Sequence, residues 1–188
     1  MPSKTSIVNL ALSRLGQPPI TDIDEGTVTA DKFKAVWDDI RDFVLATHPW
    51  NFAVKRASLA RLAETPDFKW SYYYQLPGDC LRVTQLGEQE DEYLWEIEAE
   101  GKLATDEAEA NIEYIARITE EGRYSPGFVN ALAYRLAAEK CFDLTGRLDL
   151  AKNLLQLWPQ ELAAAISFDS QEKGPLSFTC EAWLDARR

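Results

Sequence analysis

The chain has 188 residues and a formal net charge of −11, with 31 Asp and Glu against 20 Lys and Arg. This length suffices for one domain with a hydrophobic core, and 46% hydrophobic with 27% charged residues excludes wholesale disorder. The acidic balance also argues against a protein that grips nucleic acid, because phosphate binding draws on clustered Lys and Arg.

Two helices are predicted in the first 50 residues. The first covers about 3–15, with Ser3 as a candidate N-cap. The second covers about 28–47 and is ended by His48-Pro49, because the residue before a proline disfavours helical conformation. Its apolar residues recur at spacings of three and four, which places them on one face: Ala30, Phe33, Trp37, Ile40 and Val44. This stripe is typical of a helix that packs in a bundle.

Between about 52 and 120 the pattern changes to short runs bounded by turn residues. Residues 111–119 alternate apolar and polar side chains with one exception, Ile115. Pro77-Gly78-Asp79 and Glu100-Gly101-Lys102 are turn signals. The other candidate strands are Ala57–Leu62, Trp70–Leu76, Cys80–Leu86 and Tyr93–Ile97. The region therefore predicts a small antiparallel sheet.

Helical spacing returns over about 126–145 and 148–168. Ser125-Pro126 supplies a cap and a first-turn proline, whereas Pro159 is expected to kink or divide the fourth helix. Residues 171–188 lose this periodicity, which predicts a C-terminal arm beyond a single domain of residues 1–170. The predicted fold is α+β and mainly α: a bundle of about four helices, a small antiparallel β-sheet inserted between helices 2 and 3, and an extended C-terminal tail.

Large apolar side chains on these elements form the predicted core. The expected members are Trp37, Ile40, Phe52, Leu132, Leu136, Leu155 and Trp158. The chain also carries six Trp, more than a core of this size usually requires. Extra Trp is common at protein–protein contacts, although a well-filled monomer core is an equally fair interpretation.

Few residues offer catalytic or metal chemistry. His48 is the only histidine, and its position at a helix end fits capping or packing better than general base catalysis. Cys80, Cys141 and Cys180 are widely spaced and include no C-x-x-C pair, so neither a disulfide framework nor a zinc site is indicated. No glycine-rich phosphate loop is present. We therefore expect no catalytic residue, no metal and no cofactor.

The sequence also bears on location. The N-terminal Met-Pro-Ser-Lys-Thr-Ser lacks the apolar run of a signal peptide, and no stretch approaches the length of a membrane span. We expect a protein that is made and kept in a reducing cytoplasm and has no membrane contact.

A series of segments in chain order carries a resemblance. They are His48-Pro49-Trp50-Asn51-Phe52-Ala53, Tyr74-Gln75-Leu76-Pro77-Gly78-Asp79-Cys80-Leu81-Arg82-Val83, Tyr114-Ile115-Ala116-Arg117-Ile118-Thr119, Ser125-Pro126-Gly127-Phe128 with the following Ala131-Leu132-Ala133, and Glu181-Ala182-Trp183-Leu184-Asp185-Ala186-Arg187. Together they resemble the tail tubular protein A family, the head-to-tail adaptors of short-tailed bacteriophages. The likeness spans nearly the whole chain.

The resemblance implies a structural virion protein and not an enzyme. Such a protein is made in the host bacterial cytoplasm and resides in the virion tail. It forms a homo-oligomeric ring between the portal protein and the tail tube or nozzle protein. DNA passes through this ring without sequence-specific binding, and no cofactor is implied.

Two other functions remain open from the sequence. One is an acidic hydrolase, which would need two Asp or Glu carboxylates converging in one pocket with at least one raised pKa. The other is a host-encoded helical protein-interaction module. Neighbouring portal and nozzle genes would favour the adaptor over both.

The C-terminal arm supplies the candidate contact residues, which are Trp183, Leu184, Arg187 and Arg188. Trp and Arg are the side chains most often found as binding anchors. The basic end is also opposite in sign to the acidic chain, so it is suited to an acidic surface of the adjacent subunit or the portal. The alternative is a terminus that merely frays.

Overall fold

The computed structural model describes residues 1–87 and 93–172. Within them the helices are α1 (Lys4–Leu15), α2 (Val28–Thr47), α3 (Pro126–Thr145) and α4 (Leu148–Gln171). The strands are β1 (Val54–Ser58), β2 (Tyr72–Gln75), β3 (Cys80–Leu86), β4 (Trp95–Glu98), β5 (Lys102–Thr105) and β6 (Asn111–Ala116). The predicted α+β class, the four helices and the strands between α2 and α3 are confirmed.

The helix ends follow the local sequence signals. Ser3 caps α1 by accepting a hydrogen bond from the Ser6 backbone N–H, and Ser125 caps α3 in the same way through Phe128. Gly146 ends α3 in the left-handed conformation, with φ of 68°, which a residue without a Cβ adopts at little cost. These caps satisfy backbone groups that a helix end leaves unpaired.

Helix α3 lies at the centre of the bundle, where it packs against α1, α2 and α4. Its buried side chains point in nearly every direction around the helix and include Leu132 and Leu136. Helices α3 and α4 approach each other closely at Gly127, where an added Cβ would lie 3.2 Å from the Ala165 Cα. A small residue therefore permits the close contact of α3 with α4.

The strands form two three-stranded antiparallel sheets, in the orders β1-β6-β3 and β2-β5-β4, where the sequence analysis predicted a single small antiparallel sheet. Strand β5 was not predicted from the sequence, and its first residue, Lys102, was assigned to a turn. The β5 residues Leu103, Ala104 and Thr105 are all buried. Because both faces of this short strand are covered, it lacks the alternation that marks a half-exposed strand. The first strand also lies earlier than predicted, at Val54–Ser58.

Burial on both faces also explains why Ile115 breaks the alternation of apolar and polar residues in β6. Strand β6 is central in its sheet, between β1 and β3. Tyr114, Ile115 and Ala116 are all buried, so both faces are covered at this end of the strand. A strand covered on both sides carries consecutive apolar residues rather than a period of two.

The core prediction holds on α2 and α3 and fails once on α4. Trp37, Ile40, Leu132 and Leu136 are buried, whereas Phe52 and Trp158 are only half-buried against the core. Leu155 is 45% exposed, so its predicted burial was wrong. The neighbouring Leu154 occupies the contact instead, because it lies on the inward stripe that α4 presents to α3.

Pro159 was predicted to kink or divide α4, but it does not divide the helix. The helix is continuous from Leu148 to Gln171, and its end lies three residues beyond the predicted 168. Pro159 is exposed. Proline has no backbone N–H, so the hydrogen bond from position 159 to the Leu155 carbonyl is missing. Leu155 is also exposed, so water can bind this carbonyl instead.

Candidate assembly surface

An aromatic cluster joins the helices to the strands. The Trp50 indole is fully buried, and its N–H donates to the Val44 carbonyl at 3.1 Å. It meets Phe128 edge-on at 5.2 Å between ring centroids and stacks on Phe52 at 6.3 Å. The cluster fixes the inserted strands on the helices.

A buried carboxylate strengthens the same junction from α4. Asp169 is 3% exposed and accepts from the Asn51 backbone N–H at 3.2 and 3.1 Å with its two oxygens. The Asn51 side chain donates in turn to the Asp169 carbonyl at 2.5 Å. The His48 Nε2 lies 3.3 Å from Asp169 Oδ2. The role of Asp169 was not predicted from the sequence, although Asp169 continues the inward stripe of α4.

These contacts give His48 a structural role. We expect His48→Gln to leave assembly intact and to lower stability only modestly, because a glutamine amide can still donate to the Asp169 carboxylate. His48→Ala, which removes this donor, should lower the thermal unfolding midpoint further. Circular dichroism melts and infectivity of reconstituted virions would measure both variants. Lost infectivity with normal folding and assembly would instead indicate catalysis by His48.

A charged network ties α2 to the segment that directly follows β6. Arg41 is 3% exposed and pairs with Asp38 at 2.6 Å and with Asp42 at 2.8 Å. Asp42 also accepts from the Arg117 Nε at 2.6 Å. Mutual pairing offsets the cost of burying the Arg41 guanidinium.

A groove opens between α2 and α4 and is named the α2–α4 groove. The Phe43 ring of α2 faces the Trp158 ring of α4 at 5.9 Å between centroids. The Arg135 guanidinium of α3 lies 5.2 Å from the first ring and 5.4 Å from the second. The adjoining cavity measures about 260 Å³ and is lined by Val36, Asp39, Ile40, Phe43, Arg135 and Glu139. Phe43 remains 48% exposed in spite of these contacts.

A second set of exposed apolar side chains, named the distal patch, lies in the insertion between α2 and α3. It comprises Phe68, Leu94 and Ile97, which are 82%, 75% and 43% exposed. Leu94 directly precedes β4 and Ile97 lies within it. Strand β4 is an edge strand of its sheet. Exposed large apolar side chains in such numbers are typical of protein–protein contact surfaces.

The titratable groups of the insertion are held in structural contacts. The Lys55 ammonium keeps the pKa of the Asp79 carboxyl below its usual value. Burial and the Asp79 carboxylate together raise the pKa of Tyr114 to about 12. Burial raises the pKa of the Cys80 thiol, which is the opposite of what an activated nucleophile requires.

Across residues 1–87 and 93–172, no three His, Cys, Asp or Glu side chains converge as a metal site. No helix in this part of the chain is long and apolar enough to cross a membrane.

The predicted contact residues Trp183, Leu184, Arg187 and Arg188 lie outside the described residues. The α2–α4 groove was not predicted. Its one sequence signal is Phe43, an aromatic residue off the apolar stripe of α2 and next to acidic Asp42. Arg135 and Glu139 gave no signal, because charged residues on a helix are ordinarily solvated.

Comparison with known proteins identifies the family of the chain. The family model described as tail tubular protein matches residues 6–116, which is more than half of the chain. The match covers α1, α2 and the inserted strands, with the Trp50 cluster between them. No curated protein matches the chain.

Proposed function

The chain belongs to the tail tubular protein family and is a structural component of a phage tail, and we propose that it is the ring-forming adaptor between the portal and the tail tube. In this role residues 1–170 act as one adaptor domain. The family match, which covers α1, α2 and the insertion, is the observation that carries the proposal.

The shape of the surface supports a ring. A closed head-to-tail ring needs two different surfaces on each copy, one of which meets the other on its neighbour. The α2–α4 groove on the helices is one candidate surface for this joint, and the distal patch of the insertion is a separate apolar surface for a further contact. Their exposed members, such as Phe43 and Phe68, would be covered in an assembly.

The charge of the chain supports a channel for DNA. With 31 acidic against 20 basic residues, the protein repels the phosphate backbone. A ring of such subunits would extend the DNA channel of the portal and let DNA pass without sequence-specific binding. The nozzle protein would bind the opposite end of the ring.

The C-terminal arm would make the contacts between subunits or with the portal. Trp183 and Leu184 offer the apolar area, and Arg187 and Arg188 offer the charge. Burial of the Trp-Leu pair against a partner is favourable, because it removes apolar surface from water. The two arginines are attracted to an otherwise acidic protein.

Electron microscopy of the protein mixed with its portal tests the proposal. We expect closed rings attached coaxially to the portal, with an open central channel. Addition of the nozzle protein should extend the free end of each ring. The proposal is wrong if the protein stays unattached to the portal while it binds another tail component.

A further inference from the structure

The α2–α4 groove contains a cation with an unused donor. The Arg135 Nε is buried and has no hydrogen-bond partner among the described residues. The carboxylate that Arg135 reaches belongs to Glu139, at 3.5 Å from Nη2, which is too long for a strong charge-assisted bond. A buried donor without an acceptor is costly, so the groove is suited to a ligand that brings an oxygen acceptor.

The side chains around Arg135 indicate which other chemical groups a ligand of the groove should have. The rings of Phe43 and Trp158 on either side of Arg135 offer apolar and aromatic contact. Asp39 and Glu139 line the cavity beside them and are exposed. A fitting occupant therefore combines large apolar side chains, one carboxylate and one or more basic groups within a short segment.

The arm of the chain has this composition in six consecutive residues, Trp183-Leu184-Asp185-Ala186-Arg187-Arg188. We propose that this segment of one copy occupies the α2–α4 groove of a neighbouring copy. The Asp185 carboxylate pairs with Arg135, and Trp183 packs against Phe43. Arg187 and Arg188 pair with Asp39 and Glu139. The inference rests on the ring proposed above and names the two surfaces that join its subunits.

Chain length permits this contact. Glu172 is the last described residue before the arm. The 11 residues from there to Trp183 span up to about 36–40 Å when extended. Along α4, Trp158 lies only about 16 Å from Asp169 at 1.5 Å per residue. The arm can thus reach well beyond the end of its own α4. A donor arm and an acceptor groove on every copy are the complementary pair that a head-to-tail ring requires.

A charge swap tests the pairing in the full-length protein. Arg135→Glu and Asp185→Arg should each weaken self-association by at least about tenfold, measured by sedimentation velocity over a concentration series. The double variant, which restores opposite charges, should recover most of the loss. Arg56→Glu, a charge reversal at a side chain 85% exposed on β1, is the matched control and should have little effect. Circular dichroism melts would verify that each variant folds, and the Asp185 variant tests the pairing even if Arg135→Glu unfolds.

A mixing experiment distinguishes neighbouring copies from a fold-back within one copy. Arg135→Glu supplies an intact arm, and a chain lacking residues 176–188 supplies an intact groove. Their mixture should form one-to-one pairs that neither forms alone. Absence of pairs overturns the proposal, as does a double swap that restores nothing. Restored self-association without rings on the portal would leave this contact standing and refute the adaptor function instead.

Discussion

Leu136→Ala is expected to lower the free energy of unfolding by roughly 2–5 kcal/mol. Leu136 is fully buried on α3, the helix that packs against the other three. The substitution removes three side-chain carbons from a site enclosed on all sides. The cost combines the lost transfer free energy with that of the cavity, because packed helices relax only partly around a void.

Leu155→Ala is the matched control, since it makes the same chemical change on α4. Leu155 is 45% exposed, so its replacement should cost well under about 1 kcal/mol. Urea denaturation with a common slope would give both values. Equal losses for the two variants would show that the buried side of α3 or of α4 has been misassigned.

The contrast between these two leucines shows where sequence reasoning succeeds and where it stops. Spacing and capping residues located all four helices, because helix formation is decided largely by local signals such as Ser125-Pro126. Spacing does not decide between adjacent leucines on one helix. Leu154 and Leu155 both fit an apolar stripe, and only the position of α3 determines which one is buried.

The strands and the groove were harder to predict for a related reason. The burial of Leu103 and Ala104 depends on residues far away in the sequence, so β5 carried no local pattern. The α2–α4 groove combines side chains from three helices, Phe43, Arg135 and Trp158. No spacing within a single helix brings them together. The arm was predicted from Trp and Arg residues that are unusual in a segment without helical periodicity, and its contact role stays a prediction.

Deletion of residues 176–188 is expected to leave a folded monomer that fails to join the ring or the portal. Every buried core residue of the described chain lies between Ile7 and Ala165, so the thermal unfolding midpoint should change little. Assembly should be lost, because the deletion removes the apolar and charged anchors together. Sedimentation velocity and binding to immobilised portal would measure the two effects separately.

Two double variants within the arm refine this test. Trp183→Ala with Leu184→Ala removes the apolar anchors and should reproduce most of the defect of the deletion. Ser177→Ala with Thr179→Ala makes a matched change at small polar residues of the same arm and should assemble normally. If both double variants fail alike, the assembly defect does not depend on the Trp-Leu pair in particular. A truncated protein that assembles with normal affinity would show that the arm is passive, since its anchors would then have no measurable partner in the virion.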